Sequence, residues 1–260
     1  MVHCSIILKF ARLLQLLVFF TIYLLDYCHA LNVLVVGGSG RVGGSTVRWL
    51  KTLSDRKEQP ISITVGGRRI SAYDTAKKNK VIPENDVDFL PMDIDGDTSV
   101  LQQTLQSWKT SCTSDDCLVV HTAGPFQGRR DPTLLSSCID LSIDYCDVCD
   151  EWELAEVSKV DLDERAKEKR ISAVVSCGIW PGVSALMAAE GVQQLKESSS
   201  EEIDIQSIDY SFFTAGTGNA GPTIGRCFDE ALSLQVICTN RSYATSISQF
   251  QLPSYFSQLQ

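Results

Sequence analysis

The chain has 260 residues, a formal net charge of −9 and a hydrophobic content of 44%. That apolar content is enough for a large core, so it argues against a globally disordered chain. The acidic balance argues against a nucleic-acid-binding surface, because phosphate backbones are bound by clustered Lys and Arg. Small anions can still bind through local arginines and helix ends.

The first thirty residues have the layout of a signal sequence. Two basic residues, Lys9 and Arg12, precede an apolar run over 13–25, and small residues near a cleavage position follow it. Extending the apolar run to 6–25 gives instead a marginal membrane anchor, because a span needs about 20 apolar residues. A third interpretation is an artefact of the gene model, since a predicted strand begins at once after this segment. The location of the protein in the cell stays open.

The next residues predict a strand, a glycine turn and a helix. An apolar run from Leu31 leads into Gly38-x-Gly40-x-x-Gly43, and a helical pattern covers 42–53. In such a unit the first glycine permits the tight turn, the second lets the backbone approach a pyrophosphate, and the third lets the helix pack close to the strand. The helix N-terminus then favours negative charge. We interpret the unit as a dinucleotide-binding turn, with an ordinary glycine-rich turn as the alternative.

The end of the second predicted strand, 61–65, bears on the choice of cofactor. A site specific for NAD would have an acidic residue here to bind the ribose 2′-hydroxyl. The chain instead has Gly66-Gly67-Arg68-Arg69, with no acidic residue beside it. Because a guanidinium can bind a phosphate through two hydrogen bonds, we predict NADP(H), with Arg68 as the phosphate ligand and Arg69 as a helper. Two solvated arginines at the start of a surface helix are the alternative.

Strands and helices alternate through the middle of the chain, which predicts a doubly wound parallel sheet. The fourth strand is apolar on both faces and ends in Ala123-Gly124-Pro125, at the edge where parallel sheets bind ligands. The later predicted strands cover 87–90, 117–122, 143–148 and 171–177, and the later helices cover 72–79, 98–108, 150–170 and 183–196, with a further helix starting at Asp131 and Pro132.

Two aspartates are the candidate catalytic residues. Asp147 and Asp150 lie at the carboxyl end of the fifth predicted strand, and hydride transfer needs a proton acceptor beside the cofactor. Helix capping or solvation is the alternative for both. His121 lies in a buried strand and is interpreted as structural. Cys146 and Cys149 have the spacing of a redox or metal pair, but with no second pair and no nearby His we predict no metal site.

A second domain is predicted to begin near residue 199. The polar run 197–202 is typical of a linker, and 203–214 alternates apolar and polar residues like a half-exposed strand. The predicted organisation is therefore a signal-like or anchor segment over 1–30, a nucleotide-binding doubly wound domain over 31–198, and a partial α+β substrate or dimerisation domain with a divergent tail over 199–260.

Six blocks of sequence together resemble the saccharopine dehydrogenase-like oxidoreductase family. They are GGSGRVGGSTVRWL, VGGRR, VVHTAGPFQ, YCDVCDE, GIWPGVSALMAAE and FFTAGTGNAGPT, and they follow the family's order over 32–223. The resemblance implies an NADP-binding Rossmann domain and a C-terminal α+β domain for substrate binding and dimerisation. Family members continue well beyond the last block, whereas this chain enters an unrelated tail. We therefore expect a truncated second domain or a wrongly assigned last exon.

The resemblance also implies roles for single residues. It places the pyrophosphate on the glycine turn, the 2′-phosphate on Arg68, the adenine on Asp93 and the nicotinamide side on the loop after the fourth strand. The implied cofactor-binding residues are Gly38, Ser39, Gly40, Arg41, Val42, Gly43, Arg68, Asp93, Ala123, Gly124 and Pro125. The expected activity is NADP(H)-dependent oxidation or reduction of a small amino-acid-like metabolite, in a homodimer if the second domain is complete. The alternative is a non-catalytic NADP-binding module, or an enzyme that lacks its substrate domain.

Overall fold

The computed structural model describes residues 30–57, 60–198, 204–205 and 207–210, and the backbone of 235–237 and 246–248. Strands and helices alternate through most of these residues. The strands are β1 Leu31–Val36, β2 Ile61–Gly67, β3 Val87–Pro91, β4 Cys117–His121, β5 Asp144–Asp147, β6 Ala173–Val174, β7 Gln235–Ile237 and β8 Ser246–Ser248. The helices are α1 Arg41–Lys57, α2 Ile70–Lys78, α3 Thr98–Ser111, α4 Thr133–Asp140, α5 Trp152–Lys169 and α6 Val183–Ser198.

The first six strands form one sheet in the order β3-β2-β1-β4-β5-β6. Strand β1 runs parallel to both β2 and β4, and β2 runs parallel to β3. The register places Val36 opposite Gly66 on one side and His121 on the other, so the carboxyl ends of β1, β2 and β4 are level. Chain order reverses between β1 and β4, and open α/β sheets bind ligands at such a switch point. The predicted α/β doubly wound parallel sheet is confirmed.

Strand β1 is at the centre of the core. Its residues from Val33 to Val36 are at most 2% exposed, as expected for a parallel strand covered on both faces. On one face Val33 and Val35 pack in a cluster with Val47 of α1 and Tyr73 of α2. The amphipathic faces of α1 and α2 therefore cover the half of the sheet that carries the glycine turn.

The described residues divide into two compact units. The first comprises the residues up to Ala123 together with 133–146 and 162–173. The second comprises 124–132, 147–161 and the described residues from Val174 on. The glycine turn, Arg68 and Asp93 belong to the first unit, whereas Asp147 and Asp150 belong to the second.

Two predicted elements differ from the structure near the sheet edge. Strand β6 has only two residues, whereas the pattern predicted 171–177. It is the edge strand, and the backbone N–H groups on both sides of it bind side chains: Ser172 N donates to the Asp144 carboxylate and Ser176 N to the Asp147 carboxylate, both at 2.7 Å. Helix α4 begins at Thr133, so Asp131 and Pro132, predicted as its capping acid and its first-turn proline, both lie just before it. The residue before a proline disfavours helical geometry, which leaves Asp131 outside the helix.

Several predictions concern the two ends of the chain. The signal-like or anchor segment and most of the partial second domain lie outside the described residues. Within the predicted strand 203–214, the described positions 204–205 and 207–210 have no regular secondary structure, so the strand prediction is wrong there. A strand needs a hydrogen-bonded neighbour, and no described strand pairs with this segment. In the part of the chain that the structure describes, no helix has both the length and the apolar character needed to cross a membrane.

Candidate functional site

The turn between β1 and α1 depends on a glycine that the sequence pattern did not single out. Gly37 has a φ of 82°, in the left-handed region that favours glycine. A Cβ on Gly37 would also lie 2.9 Å from the backbone of Ala123. Gly38, to which the pattern assigned the tight turn, has no positive φ; its Cβ would lie 2.8 Å from the Val65 side chain. Gly37 therefore makes the turn, and Gly38 permits close packing against β2.

The other two glycines of the pattern have different surroundings. A Cβ on Gly43 would collide with the Gly37 carbonyl oxygen and would lie 2.6 Å from Thr122 Oγ1. The helix thus packs tightly on the turn, as predicted for the third glycine. A Cβ on Gly40 would meet only the Gly37 carbonyl oxygen, at 3.1 Å, and Gly40 is exposed. The missing side chain at Gly40 therefore leaves open space outside the turn.

The N-terminus of α1 borders this open space. Gly40 N donates to Gly37 O at 2.9 Å and Gly44 N donates to Gly40 O at 2.8 Å, so the N–H groups that precede the first helical hydrogen bond are those of 41–43. Arg41 and Val42 are exposed, Ser39 is half-buried, and the first turn has no acidic residue. Free N–H groups and the helix dipole both favour an anion here. The turn therefore ends in an anion-binding helix terminus, and the role of 38–43 in binding a pyrophosphate stays a prediction.

Arg68, the predicted ligand of the 2′-phosphate, and Asp93, the predicted contact of the adenine, line one open cavity of about 310 Å³. Arg68 follows the end of β2 directly and Asp93 follows β3 closely, so parallel pairing brings the two residues to the same edge. The cavity is lined by Arg68, Pro91, Met92, Asp93, Gly96, Asp97, Val100, Leu101 and Thr104. Its lining combines apolar side chains with the charged side chains of Arg68, Asp93 and Asp97.

The expectation that no carboxylate lies beside Arg68 is wrong, because Asp93 and Asp97 line the same cavity. Both carboxylates bind backbone of their own segment. Asp93 Oδ1 accepts from Asp95 N at 3.1 Å, and Asp97 Oδ1 accepts from Ser99 N at 2.7 Å at the start of α3. The Ser99 hydroxyl and N–H lower the pKa of Asp97, so its charge is stabilised in place. Arg68 is exposed and has no ion pair within the described residues.

The residue that follows β4 is hydrogen-bonded to the last residue of β1. Thr122 N and Thr122 Oγ1 both donate to Val36 O, at 2.9 and 2.8 Å, which places Ala123 against Gly37 in the first unit. In the second unit Gly124 is exposed, and Pro125 O accepts from Arg129 Nε at 2.9 Å. The predicted nicotinamide-side residues are thus divided between the two units.

The two candidate catalytic aspartates have different environments within the second unit. Asp147 is buried, and its Oδ1 accepts hydrogen bonds from Ser176 N at 2.7 Å and Cys149 N at 3.1 Å. Asp147 thus binds loop backbone, which differs from the helix capping or solvation that the sequence left open for it. Asp150 is half-buried just before α5.

Neither the buried His121 nor the two closely spaced cysteines, Cys146 and Cys149, belong to a metal centre in the described residues. His121 Nδ1 lies 2.9 Å from the Tyr145 hydroxyl oxygen, across β4 and β5. Cys146 belongs to the first unit and Cys149 to the second, and burial raises the pKa of Cys149 to about 12. No group of three or more His, Cys, Asp or Glu side chains that could bind a metal occurs in the described part of the chain.

The sheet order, the glycine turn and the anion-binding helix end define a Rossmann-like nucleotide-binding fold. The family model of the saccharopine dehydrogenase NADP binding domain matches residues 33–174, more than half of the chain. The chain belongs to this family, which consists of NAD(P)-dependent oxidoreductases, and the resemblance found in the sequence is confirmed. No curated protein matches the sequence.

Solved structures of oxidoreductases are similar to parts of the chain. A metagenomic short-chain oxidoreductase in complex with NADP has 12% identity and a TM-score of 0.41, over 57% of this chain and 82% of the other. Glucose-6-phosphate 1-dehydrogenase from Mycobacterium avium has 16% identity and a TM-score of 0.38, over 56% of this chain and 36% of the other. A meso-dapdh mutant with DAP from Clostridium tetani has 15% identity and a TM-score of 0.34, over 63% of this chain and 42% of the other. The chain thus spans less than half of the last two proteins.

Proposed function

We propose that the first unit binds NADP(H) and that the protein is an NADP(H)-dependent oxidoreductase of a small amino-acid-like metabolite. The observation that carries the cofactor assignment is the position of Arg68. It is exposed, it has no ion pair among the described residues, and it lines a cavity at the edge of the sheet where the glycine turn lies. A guanidinium without a partner carboxylate is a ready ligand for a 2′-phosphate.

Each group of residues has a separate task in this proposal. The backbone from Gly37 to Gly43 and the N-terminus of α1 bind the pyrophosphate. Arg68 binds the 2′-phosphate, and Asp93 contacts the adenine end of the cofactor. When bound, the cofactor supplies or accepts the hydride. Ala123, Gly124 and Pro125 remain the proposed residues for the nicotinamide side.

The proton that accompanies hydride transfer needs an acceptor among the side chains. Both candidate aspartates remain proposed for this role: Asp147 accepts two backbone hydrogen bonds, and Asp150 is half-buried just before α5. The assignment of an amino-acid-like substrate rests on the family alone, and folds of this kind serve many substrates. A test is NADP⁺ reduction, followed at 340 nm, with a panel of amino acids and hydroxy acids.

The cofactor assignment is tested by titrating the full chain with NADPH and NADH and following cofactor fluorescence. The wild-type chain is expected to prefer NADPH. Arg68→Asp should reduce that preference by about 10- to 100-fold, since a charge-assisted contact is replaced by repulsion. Arg48→Asp makes the same charge change at an exposed position of α1 that does not line the cavity, and it should leave the preference unchanged. An unchanged preference in Arg68→Asp would contradict the assignment.

A non-catalytic NADP-binding module is the second candidate function. The backbone contacts of Asp147 favour it, because they engage one of the two carboxylates that could have moved the proton. Tight NADPH binding without turnover of any substrate in the panel would support this candidate. Turnover that is lost in Asp150→Asn, with NADPH affinity retained, would support the enzyme.

A further inference from the structure

A serine and two arginines are exposed together where β2 leads into α2. Arg68 and Arg69 precede Ile70, the first residue of the helix, and Ser71 follows it. All three side chains are exposed. Within the described residues neither arginine forms an ion pair, and the Ser71 hydroxyl has no hydrogen-bond partner. The group therefore presents a free hydroxyl beside two unpaired positive charges.

The order Arg-Arg-x-Ser suits enzymes that phosphorylate serine next to arginine, because their acidic clefts can bind guanidinium groups in two hydrogen bonds each. The backbone is favourable as well. Arg69 is extended, with φ −130° and ψ 117°, and no side chain caps the helix. The first turn contains a bond from Ala72 N to Arg69 O of 3.1 Å, and such helix ends open at low cost. Ser71 can thus enter an active site without unfolding the sheet.

We propose that Ser71 is a phosphorylation site whose phosphate competes with the 2′-phosphate of NADP(H) for Arg68. The step transfers the γ-phosphoryl group of ATP. Ser71 Oγ forms a bond to the γ-phosphorus, the bond from that phosphorus to the β,γ-bridging oxygen breaks, ADP leaves, and the hydroxyl proton passes to a base of the kinase. This inference rests on the proposed NADP(H) site and assigns a regulation to it.

The expected weakening of NADP(H) binding by phosphorylation follows from the charge of the phosphate and its distance from the two arginines. A phosphoserine adds a charge of about −1.5 to −2 and three strong acceptor oxygens. It would stand three residues from Arg68 and two from Arg69, within reach of both long side chains, and at the positive end of α2. Arg68 would then have an intramolecular anion as its partner, and a cofactor phosphate at the same place would be repelled. NADH has no 2′-phosphate, so its binding should change little.

The site is tested on the full chain with ATP and the catalytic subunit of a cyclic-AMP-dependent protein kinase, an arginine-directed enzyme. Peptide mapping by mass spectrometry should find one phosphate on Ser71, and Ser71→Ala should abolish it. The phosphorylated chain should bind NADPH at least about tenfold more weakly than the unmodified chain, with NADH affinity unchanged within about twofold. Ser71→Glu should show a smaller loss in the same direction, and Ser71→Ala should bind NADPH like wild type.

Ser107→Glu is the matched control, because it adds the same charge at an exposed position of α3. It should leave NADPH affinity unchanged, and thermal melts should show that all variants are folded. Absence of phosphate on Ser71, or equal NADPH affinity before and after phosphorylation, would overturn the inference. Failure of the unmodified chain to bind NADPH would overturn the proposed function and the competition with it, while the phosphate map would still decide whether Ser71 is modified.

Discussion

The buried carboxylate of Asp147 accepts a hydrogen bond of 2.7 Å from the backbone N–H of Ser176. Ser176 has a left-handed φ of 63°, a conformation that needs support in a residue other than glycine. The same carboxylate oxygen accepts from Cys149 N at 3.1 Å, and Cys177 N donates to the Asp147 carbonyl oxygen at 2.8 Å. The Asp147 carboxylate therefore links the segment that follows β5 to the segment that follows β6 by hydrogen bonds.

Asp147→Ala is expected to lower the free energy of unfolding by about 2–3 kcal/mol, because it leaves two backbone N–H groups without their acceptor. Asp147→Asn keeps a side-chain oxygen and should lose about half as much. Asp144→Ala is the comparison: Asp144 is exposed and accepts one such bond, from Ser172, so its loss should be under about 1 kcal/mol. Urea denaturation measures all three. Wild-type stability in Asp147→Ala would refute the structural role and strengthen the catalytic one.

The glycine turn allows folding and cofactor binding to be separated by two alanine substitutions. Gly43→Ala is expected to lower the melting temperature, because the new Cβ would meet the Gly37 carbonyl oxygen, Thr122 Oγ1 and Gly38 Cα. Gly40→Ala meets only the Gly37 carbonyl oxygen, at 3.1 Å, so it should fold normally. Its methyl group projects where the pyrophosphate would approach, and NADPH affinity should fall at least about tenfold.

Calorimetry and NADPH titration distinguish the two glycine variants. If Gly40→Ala binds NADPH like the wild-type chain, the open space outside the turn is not the phosphate site. If Gly43→Ala keeps the wild-type melting temperature, α1 must be able to move away from the turn at little cost. The distance of 2.6 Å between a Cβ on Gly43 and Thr122 Oγ1 would then not restrict this position.

The sheet was predictable from sequence because its central strands are continuous apolar runs bounded by glycine, proline and charged residues. Strand β1 is apolar except for Asn32, and the parallel order follows from the helices between the strands. The length of strand β6 was overestimated because the backbone N–H groups that flank it donate to the carboxylates of Asp144 and Asp147 instead of to another strand. A pattern of apolar and polar residues does not show that side-chain carboxylates, and not a neighbouring strand, accept these hydrogen bonds.

The candidate site was predictable only where a residue's role depends on its neighbours in sequence. Arg68 stands at the end of β2, and the position alone brings it to the ligand-binding edge. The left-handed conformation of Gly37 could have been suspected, since three of the four residues over 37–40 are glycine. The carboxylates beside Arg68 come from the β3–α3 connection, and a separation of at least 25 residues hides such proximity in the sequence. Ser176, one of the two partners of the Asp147 carboxylate, is similarly distant in sequence.

Cysteine reactivity should follow burial among the six described cysteines. Burial raises the pKa of Cys117 to about 12 and also raises that of Cys138, which is 0% exposed. Because the thiolate is the nucleophile, both should react slowly with iodoacetamide at pH 8. Cys177 is exposed and should be alkylated first. Peptide mapping by mass spectrometry in native buffer and in urea measures this order, and rapid native labelling of Cys138 would contradict the burial of its side chain in α4.

The N-terminus of α3 predicts a pH dependence of stability through Asp97. Its carboxylate accepts from the Ser99 hydroxyl, from Ser99 N and from Val100 N, and these bonds lower its pKa in the folded chain, the hydroxyl most of all. A group whose pKa is lower when folded stabilises the protein above its unfolded pKa, and that contribution is lost as pH falls through the folded value. Asp97→Ala should therefore melt below the wild-type chain at pH 7.

The difference in melting temperature between the wild-type chain and Asp97→Ala should narrow as pH falls below about 4, the ordinary pKa of an aspartate. Asp97→Asn can still cap the helix but does not titrate, so it should melt above Asp97→Ala by an amount that changes little with pH. Thermal melts by circular dichroism between pH 2.5 and 7 are the measurement, with the range set by the ordinary aspartate pKa. A wild-type advantage over Asp97→Ala that is the same at both ends of that range would show that the carboxylate's charge contributes nothing and that only the shape of the cap matters.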